Sequence, residues 1–298
     1  MNPSDYAIGC DIGVTNVKVA RVTPEGIVLS RHTAETNASS PEWPAGVRDL
    51  LRKLETEHGP ARALGVAAPG VAAPDGRSIF WMQGRLGQVQ GLDWAQFLAR
   101  PRVPVVNDAQ AALLGEVWQG AARGCGNVML LTLGTGVGGA LMVDGRLLRG
   151  HVGRAGHLGH VSLDPDAPGD IVNTPGSLED AIGNCTVARR TGGRFDSTHD
   201  LVAAHRAGDA QASKAWLRSV HHLAAAVASL VNVADPEVVI IGGGIARAGA
   251  ALFDPLAEWL DRFEWRPHGR RARIVPAVLG EYAGALGAAC NAVRPGQA

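Results

Sequence analysis

The fold is decided by a pattern of strand, glycine turn and strand that occurs twice in the chain. It appears first at residues 6–31, YAIGCDIGVTNVKVARVTPEGIVLSR, and again at 127–149, NVMLLTLGTGVGGALMVDGRLLR. In both segments an apolar run leads into a glycine-containing turn, a second apolar run follows, and a tight turn leads to a third. This spacing predicts a β-meander in each segment. The likeness lies in architecture and not in detailed sequence, and it suggests two related halves around a cleft.

The remaining residues alternate between strand and helix signals. Apolar runs that predict strands occupy 63–68, 103–106 and 237–241, and periodic apolar patterns that predict helices occupy 47–54, 109–120, 215–233, 250–263 and 281–293. The segment 164–176 is rich in Asp, Pro and Gly and is predicted to be a loop. Strands that alternate with helices indicate an α/β fold.

The composition of the 298 residues is that of a globular chain with an excess of glycine. Hydrophobic residues make up 46%, which allows a sizeable core. The 39 glycines are about twice the usual share of roughly 7%. The 28 Lys and Arg residues are balanced by 28 Asp and Glu, so the formal net charge is zero. A neutral chain has no general attraction for nucleic acid or anionic lipid, and we expect neither as a partner.

The cysteines and the longest apolar runs bear on cellular location. Cys10, Cys125, Cys185 and Cys290 lie far apart and form no CxxC motif, which predicts reduced, buried thiols. The first residues lack the pattern of a signal peptide, and there is no apolar run of about 18 residues that could span a membrane. We therefore expect a cytoplasmic protein with no membrane partner.

Three glycine turns follow predicted strands, at 11–15, 134–139 and 242–244. Because glycine has no Cβ, the backbone N–H groups of such a turn can close on an anion, although a tight hairpin explains any one of them as well. Three in one chain, two of them beside Asp or Thr, favour a nucleotide phosphate site. None of the three matches the P-loop or the Rossmann fingerprint.

Polar residues at two strand ends allow two interpretations each. Asp11 ends an apolar strand, where an unpaired carboxylate is costly, and it could bind Mg²⁺ or cap the turn that follows. Asn107 and Asp108 lie between a strand and a helix, and helix capping explains most such pairs. In the functional interpretation Asn107 hydrogen-bonds a hydroxylated substrate and Asp108 accepts its proton, at a strand end where α/β proteins place ligands.

Histidines cluster at His151, His157 and His160. The spacing of the last two could suit a metal, but no nearby Cys, Glu or Asp completes a credible ligand set. Hydrogen bonding to a polar ligand or to the loop backbone is therefore favoured. Glu179 lies in the first turn of a helix that Ser177 is expected to cap, and it could face solvent or a ligand.

Taken in order, these motifs resemble the ROK family of sugar kinases and sugar-responsive repressors, in the actin–hexokinase superfamily. The resemblance covers nearly the whole chain. It rests on five short motifs, DIGVTN at 11–16, VNDA at 106–109, GTGVGG at 134–139, GH at 159–160 and DPEVVIIGGG at 235–244. It implies two actin-like (ribonuclease H-like) domains that flank a nucleotide and sugar cleft. We expect these domains at 1–108 and 109–280, with a C-terminal helix at about 281–298 that packs back on the first.

The resemblance also implies a role for each matching residue. Asp108 would be the catalytic base. The phosphates and Mg²⁺ would lie at Asp11, Gly13, Thr15, Asn16, Gly134, Thr135 and Gly136, the adenosine at Gly242 and Gly243, and the sugar at Gly70, Asn107, Asp108, His157, His160 and Glu179.

The activity that the resemblance implies is phosphorylation of a hydroxyl of a hexose or related sugar by ATP, with Mg²⁺, in a homodimer. The alternative is a non-catalytic sensor or regulator that binds sugar or nucleotide. Because the first phosphate motif begins at Asp11, we expect no DNA-binding domain before it.

The chain departs from the family pattern in three places. His157 stands where the family has Glu in a Gly-Glu-x-Gly-His motif. The family's zinc motif, CxCGxxGC, is replaced by a stretch with Asp170, Val172 and Ser177 at the cysteine positions, so we expect no structural zinc. A sugar-contacting Asn of the first domain is replaced at or near Arg85. The ATP-binding motifs are therefore kept, while the acceptor site is altered.

Overall fold

The structure is a computed structural model that describes residues 5–84 and 86–296. Its strands are β1 (Ala7–Ile12), β2 (Asn16–Val22), β3 (Val28–Glu35), β4 (Ala63–Ala68), β5 (Val71–Ala72), β6 (Ile79–Trp81), β7 (Val105–Asn107), β8 (Val128–Leu133), β9 (Val137–Val143), β10 (Arg146–Leu147), β11 (Val238–Gly242) and β12 (Arg273–Pro276). Its α-helices are α1 (Trp43–His58), α2 (Trp94–Phe97), α3 (Asp108–Gln119), α4 (Leu178–Ile182), α5 (Val187–Arg190), α6 (Thr198–Arg206), α7 (Ala210–Ala234), α8 (Ala250–Phe263) and α9 (Ala283–Val293). The α/β class is as predicted.

The first of two compact units contains the chain up to Gly124, the segment Gly145–Ala155 and the chain from Val278 onward. Its main sheet has the strand order β3–β2–β1–β4–β7. The strands β1, β2 and β3 form the predicted antiparallel meander, and β4 and β7 add parallel strands beside β1. The carboxyl ends of β1, β4 and β7 therefore meet at one edge of the sheet.

Helix α9 packs closely against this sheet and against α3. A side chain at Gly9 in β1 would overlap the carbonyl oxygen of Ala285, and one at Gly287 would overlap the carbonyl oxygen of Ala111. The buried carboxylate of Glu116 adds to this packing, since its Oε1 accepts hydrogen bonds of 2.9 Å from the backbone N–H groups of both Val278 and Leu279. These contacts keep α3 in the first unit, which extends to Gly124 and not only to residue 108.

The second unit contains Cys125–Asp144 and Gly156–Ala277. Its sheet repeats the order of the first, with β8 antiparallel to β9 and parallel to β11, which in turn pairs in parallel with β12. Helix α7 buries Trp216, Val220 and Leu223 in the core of this unit. The turn after β9 has positive φ at Asp144 (49°) and Gly145 (74°), as a tight hairpin turn requires. The predicted repeat of strand, glycine turn and strand is therefore confirmed.

The cysteines differ in part from the expectation. Cys10 and Cys290 are buried, but Cys125 is half-buried and Cys185 is exposed, so the prediction of four buried thiols is wrong for these two. Cys185 lies in a short 3₁₀ helix, Asn184–Thr186, at the surface of its unit. Within residues 5–84 and 86–296, no helix combines the length and apolar character needed to cross a membrane.

Candidate active site

In the first unit, the predicted site residues lie at the carboxyl ends of parallel strands. Asp11 is near the end of β1, Gly70 follows β4, and Asn107 ends β7 with Asp108 directly after it. Ligands of α/β proteins bind at this edge of the sheet. The topology thus brings together residues that are about 100 positions apart in the chain.

The carboxyl group of Asp11 is in an unfavourable environment for a charge. Burial raises its pKa to about 7, and the negative charge of Asp108 acts in the same direction, while Lys18 opposes both. On the other side, Gly284 of α9 lies so close that a Cβ there would overlap the Asp11 carboxylate. A cation would relieve this crowding of negative charge, so the residues present fit a bound Mg²⁺.

The turn after Asp11 is held by Thr36, which is buried. The Thr36 hydroxyl donates a hydrogen bond of 2.6 Å to the carbonyl of Gly13, and its backbone N–H donates one of 2.9 Å to the carbonyl of Thr15. The Gly13 N–H in turn donates to the carbonyl of Asn16 at 3.0 Å. Sequence reasoning missed Thr36, because it lies beyond the end of a different strand and belongs to no motif.

Asn107 is the N-cap of α3 and also connects two strand ends. Its Oδ1 accepts from the N–H groups of Ala109 (2.9 Å) and Gln110 (3.3 Å) and its Nδ2 donates to the carbonyl of Gly70 at 2.9 Å. The capping interpretation is therefore correct for Asn107. One amide hydrogen of Nδ2 is left over from these three bonds, and it is the atom of this side chain that could reach a substrate.

Asp108 is the first residue of α3 and its side chain is exposed. Its Oδ1 accepts a hydrogen bond of 2.8 Å from the N–H of Ala109. The helix, the capping residue and the strand before it fix the backbone at this position. An exposed carboxylate on a rigid element can take up a proton from a ligand without unfolding its surroundings.

In the second unit, the turn between β8 and β9 is held by contacts from outside the turn. The carbonyls of Gly134 and Thr135 accept hydrogen bonds from the N–H groups of Asn184 (2.9 Å) and Cys185 (2.8 Å). Gly243 has a positive φ of 86° and packs so closely against Leu133 that a Cβ there would overlap the Leu133 carbonyl. The end of β11, with Gly242 and Gly243, therefore lies beside the turn at 134–136.

Glu179 supports the same turn from helix α4. Ser177 caps this helix, as predicted, by accepting from the N–H of Asp180 at 3.2 Å. The Glu179 Oε2 accepts a hydrogen bond of 2.9 Å from the N–H of Val137, and a side chain at Gly136 would overlap this oxygen. Glu179 thus contacts the backbone of the glycine turn, a role that neither of the two earlier interpretations included.

The histidine segment, residues 157–160, lies against Val137 at the start of β9. His157 is half-buried and precedes the short 3₁₀ helix Leu158–His160. The close approach of Gly159 to the carbonyl of Val137 leaves no room for a side chain. His160 Nδ1 is 2.7 Å from Oδ2 of Asp170, whose side chain is fully buried.

The predicted site residues form two sets, and each set is assembled within one unit. The first contains Asp11, Gly13, Thr15, Asn16, Gly70, Asn107 and Asp108, and the second contains Gly134, Thr135, Gly136, His157, His160, Glu179, Gly242 and Gly243. Arg85 lies outside the described residues.

Comparison with known proteins places the chain in a family. A family model described as the ROK family matches residues 7–294. The chain belongs to the ROK family. A glucokinase of Thermotoga maritima is 34% identical over 315 aligned positions, which cover 96% of this chain and 97% of that protein.

ROK structures also share the fold over their whole length. The ROK hexokinase of Thermus thermophilus superimposes with a TM-score of 0.85 at 30% identity, covering 96% of this chain and 97% of the other. A ROK family glucokinase of Streptomyces griseus, in complex with glucose and AMPPNP, gives a TM-score of 0.76 at 27% identity, covering 96% and 99%. The predicted actin-like fold is therefore confirmed.

The zinc site implied by the ROK resemblance does not fit the residues of this chain. Of the three cysteine positions, Val172 has no ligand atom in its side chain, and Ser177 is engaged as a helix cap. The Asp170 carboxylate accepts hydrogen bonds from the N–H groups of Val172 and Thr174, both at 2.9 Å. In the part of the chain that the structure describes, no group of three or more His, Cys, Asp or Glu could hold a metal ion.

Proposed function

We propose that this ROK protein is an ATP-dependent kinase that phosphorylates a hydroxyl of a hexose or related sugar. The observation that carries the proposal is the placement of two carboxylates, Asp11 and Asp108, at the carboxyl ends of two strands of one sheet, β1 and β7. Asp11 is half-buried and suited to binding a cation, and Asp108 is exposed and suited to accepting a proton. Membership in the ROK family and the likeness to glucokinases support the same conclusion.

Asp108 is the general base of the proposed reaction. Its carboxylate accepts the proton of the sugar hydroxyl, the oxygen forms a bond to the γ-phosphorus of ATP, and the bond from that phosphorus to the β,γ-bridging oxygen breaks to release ADP. The remaining amide hydrogen of Asn107 donates to a sugar oxygen and orients it. Positioning and charge stabilisation supply most of the rate in phosphoryl transfer.

The other residues bind the two substrates. Asp11 would hold Mg²⁺, which would supply positive charge to the phosphates, and Gly13, Thr15 and Asn16 would lie beside the phosphates and the ion. The backbone of Gly134, Thr135 and Gly136 binds the phosphates, Gly242 and Gly243 lie near the adenosine, and Gly70, His157, His160 and Glu179 contact the sugar. This assignment rests on the motifs together with the contacts within each unit.

His157 is proposed to alter the choice of sugar. An ionised carboxylate only accepts hydrogen bonds, whereas a neutral imidazole donates one and accepts one. A ring in place of the family's Glu therefore presents one acceptor in a fixed direction. The variant His157→Glu should change the sugar profile of the enzyme. The family resemblance further supports a location in the cytoplasm and a homodimer, and light scattering of the purified chain would test the dimer.

The decisive experiment is an ADP-release assay with Mg²⁺ and ATP over a panel of hexoses, N-acetylhexosamines and their epimers. We expect saturable turnover with at least one sugar, dependent on Mg²⁺ and lost in Asp108→Asn. Sugar binding measured by calorimetry, without turnover of any sugar in the panel, would instead identify a sensor.

A further inference from the structure

The loop that precedes α4 is organised around one buried carboxylate. Asp170 has a fully buried side chain and bonds with both oxygens. Its Oδ1 accepts from the N–H groups of Val172 and Thr174, each at 2.9 Å, and its Oδ2 is 2.7 Å from His160 Nδ1. The carboxylate therefore joins the histidine segment to its own loop.

These partners keep Asp170 ionised. Burial by itself raises the pKa of a carboxyl group, but the hydrogen bonds from His160, Thr174 and Val172 outweigh burial, and the pKa of Asp170 lies below its ordinary value. A buried carboxylate is stable only when its oxygens are satisfied in this way.

An ionised carboxylate has no hydrogen to give, so the short contact fixes the hydrogen on His160. The Nδ1 atom must be the donor, and in a neutral ring the other nitrogen, Nε2, then carries a lone pair and no hydrogen. A metal ion bound at Nδ1 would have the opposite effect, because metal binding uses the Nδ1 lone pair and leaves the hydrogen on Nε2. With a metal ion at Nδ1, Nε2 would donate a hydrogen bond. With the Asp170 carboxylate at Nδ1, Nε2 accepts one.

We propose that Asp170 is a positioning residue that sets His160 as a hydrogen-bond acceptor, so that the enzyme selects a sugar whose hydroxyl donates a hydrogen bond to Nε2. This inference rests on the proposed sugar kinase function. It names a requirement on the substrate: at the position that His160 contacts, the sugar must carry a group with a hydrogen to donate. A fluorine substituent, which has none, is rejected there as strongly as a hydrogen atom.

The first test needs no substrate. In the protein labelled with ¹⁵N-histidine, the two ring nitrogens of His160 have distinct chemical shifts at pH 8, and long-range ¹H–¹⁵N correlation shows which one carries the hydrogen. Assignment comes from the loss of the signals in His160→Gln. We expect a hydrogen on Nδ1 and none on Nε2. A hydrogen on Nε2, or on both nitrogens, would overturn the inference whether or not the chain is a kinase.

The second test uses Asp170→Asn to move the ring hydrogen of His160 from Nδ1 to Nε2. The Asn oxygen can still accept from the Val172 and Thr174 N–H groups, and its NH₂ group then faces His160 and requires Nδ1 to accept. We expect the hydrogen to move to Nε2 while the loop stays folded. Asp166→Asn is the matched control, because it removes an exposed carboxylate from the same loop and should leave the His160 signals unchanged.

The substrate requirement is then read from paired analogues of the best sugar, each with one non-reacting hydroxyl replaced either by fluorine or by hydrogen. In the wild type and in Asp166→Asn, both analogues at the contacted position should lose roughly 10–100-fold in kcat/KM, with no preference for fluorine. In Asp170→Asn the fluoro analogue should be favoured over the deoxy analogue at that position, with KM for ATP little changed. The proposal would be refuted if the hydrogen of His160 moves to Nε2 in Asp170→Asn but the ratio of kcat/KM for the fluoro and deoxy analogues stays unchanged at every position of the sugar. If Asp170→Asn does not fold, the wild type alone tests the proposal. A higher kcat/KM for the fluoro than for the deoxy analogue at every position of the sugar would then refute the proposal.

Discussion

The two units share a sheet order but differ in the turn that follows the first strand of each. In the first unit an ionisable side chain, Asp11, lies in β1 just before the turn, and the turn is held in place by a neutral hydroxyl, that of Thr36. In the second unit the turn at 134–136 carries no ionisable side chain and is held in place by a carboxylate, that of Glu179. The first turn thus follows a charged side chain and has a neutral support, whereas the second turn has a charged support.

This difference separates two kinds of chemistry on one topology. A carboxylate beside a turn attracts a cation or a proton, whereas a turn made of glycine backbone presents N–H groups to an anion. The sheet order fixes where each turn lies, and a few side chains decide what it binds. The predictions below change these groups, and Asp108 at another strand end of the first unit, one at a time.

The largest effect is expected at the strand ends of the first unit. Asp108→Asn should lower kcat by about 10²–10⁴-fold, because it removes the proposed general base. Its melting temperature should change little, since an Asn side chain can still accept the hydrogen bond from the Ala109 N–H. Steady-state kinetics and thermal unfolding of the same preparation measure both quantities.

The matched control for Asp108→Asn is Asp200→Asn, which removes another exposed carboxylate from the first turn of a helix, α6. It should keep full activity. If Asp108→Asn retains more than about a tenth of the wild-type kcat, the loss is smaller than that expected for a general base, and Asp108 only accepts the Ala109 N–H at the start of α3.

The next largest effect separates two glycines of the second turn. Gly136→Ala should displace the Glu179 carboxylate and leave the Val137 N–H without its partner, at a cost of about 1–3 kcal/mol. Gly134→Ala meets nothing within 4 Å and should leave the stability of the free protein unchanged. Both variants should raise KM for ATP. Equal melting temperatures for the two variants would show that Glu179 does not support the turn.

The fold could be predicted from sequence because its signals are local. Apolar runs, glycine turns and the capping residues Asn107 and Ser177 lie next to the elements that they define. Helix ends were less well placed: α7 begins at Ala210 and not at 215, because the Asp209 side chain caps it by accepting from the N–H of Ala212 at 2.8 Å. The apolar period used to find the helix does not extend to this polar first turn.

The side-chain contacts of the site could not be predicted in the same way. The Thr36 bond to Gly13 spans 23 positions and the Glu179 bond to Val137 spans 42. Each depends on how the chain returns to a turn after other elements, which no local pattern encodes. The contact of Asp170 with His160 spans only 10 positions, but the loop path that brings the two together has no periodic signal.

A smaller effect concerns pH and the first turn. Because the pKa of Asp11 is raised from 3.8 to about 7, the folded protein holds this proton up to a higher pH than the unfolded chain does. The contribution of the Asp11 carboxyl group to the free energy of unfolding therefore falls as pH rises from about 4 to 7 and stays low above pH 7. Asp11→Asn should raise the free energy of unfolding by about 1–3 kcal/mol at pH 8, with little effect at pH 4.

The Asp11 experiment is thermal unfolding of the metal-free protein across this pH range. Adding Mg²⁺ and ATP at pH 8 should stabilise the wild type more than the variant, since the variant lacks the carboxylate that holds the ion. A variant that is less stable than the wild type at pH 8 without metal would show that the Asp11 charge is already compensated within the fold.

The smallest effect tests the hydroxyl that holds the first turn. Thr36→Val keeps the size and shape of the buried side chain but removes the 2.6 Å hydrogen bond to the Gly13 carbonyl, at a cost of about 0.5–1.5 kcal/mol. Because the Thr36 N–H still holds the Thr15 carbonyl, the turn should loosen only on its Gly13 side. We expect a slightly lower melting temperature and a KM for ATP raised a few-fold, with KM for the sugar unchanged. Thr36→Ser keeps the hydroxyl and should restore the KM for ATP. If Thr36→Val and Thr36→Ser lose the same amount of ATP affinity, the methyl group and not the hydrogen bond supports the turn, and the contrast between a neutral and a charged support would no longer hold.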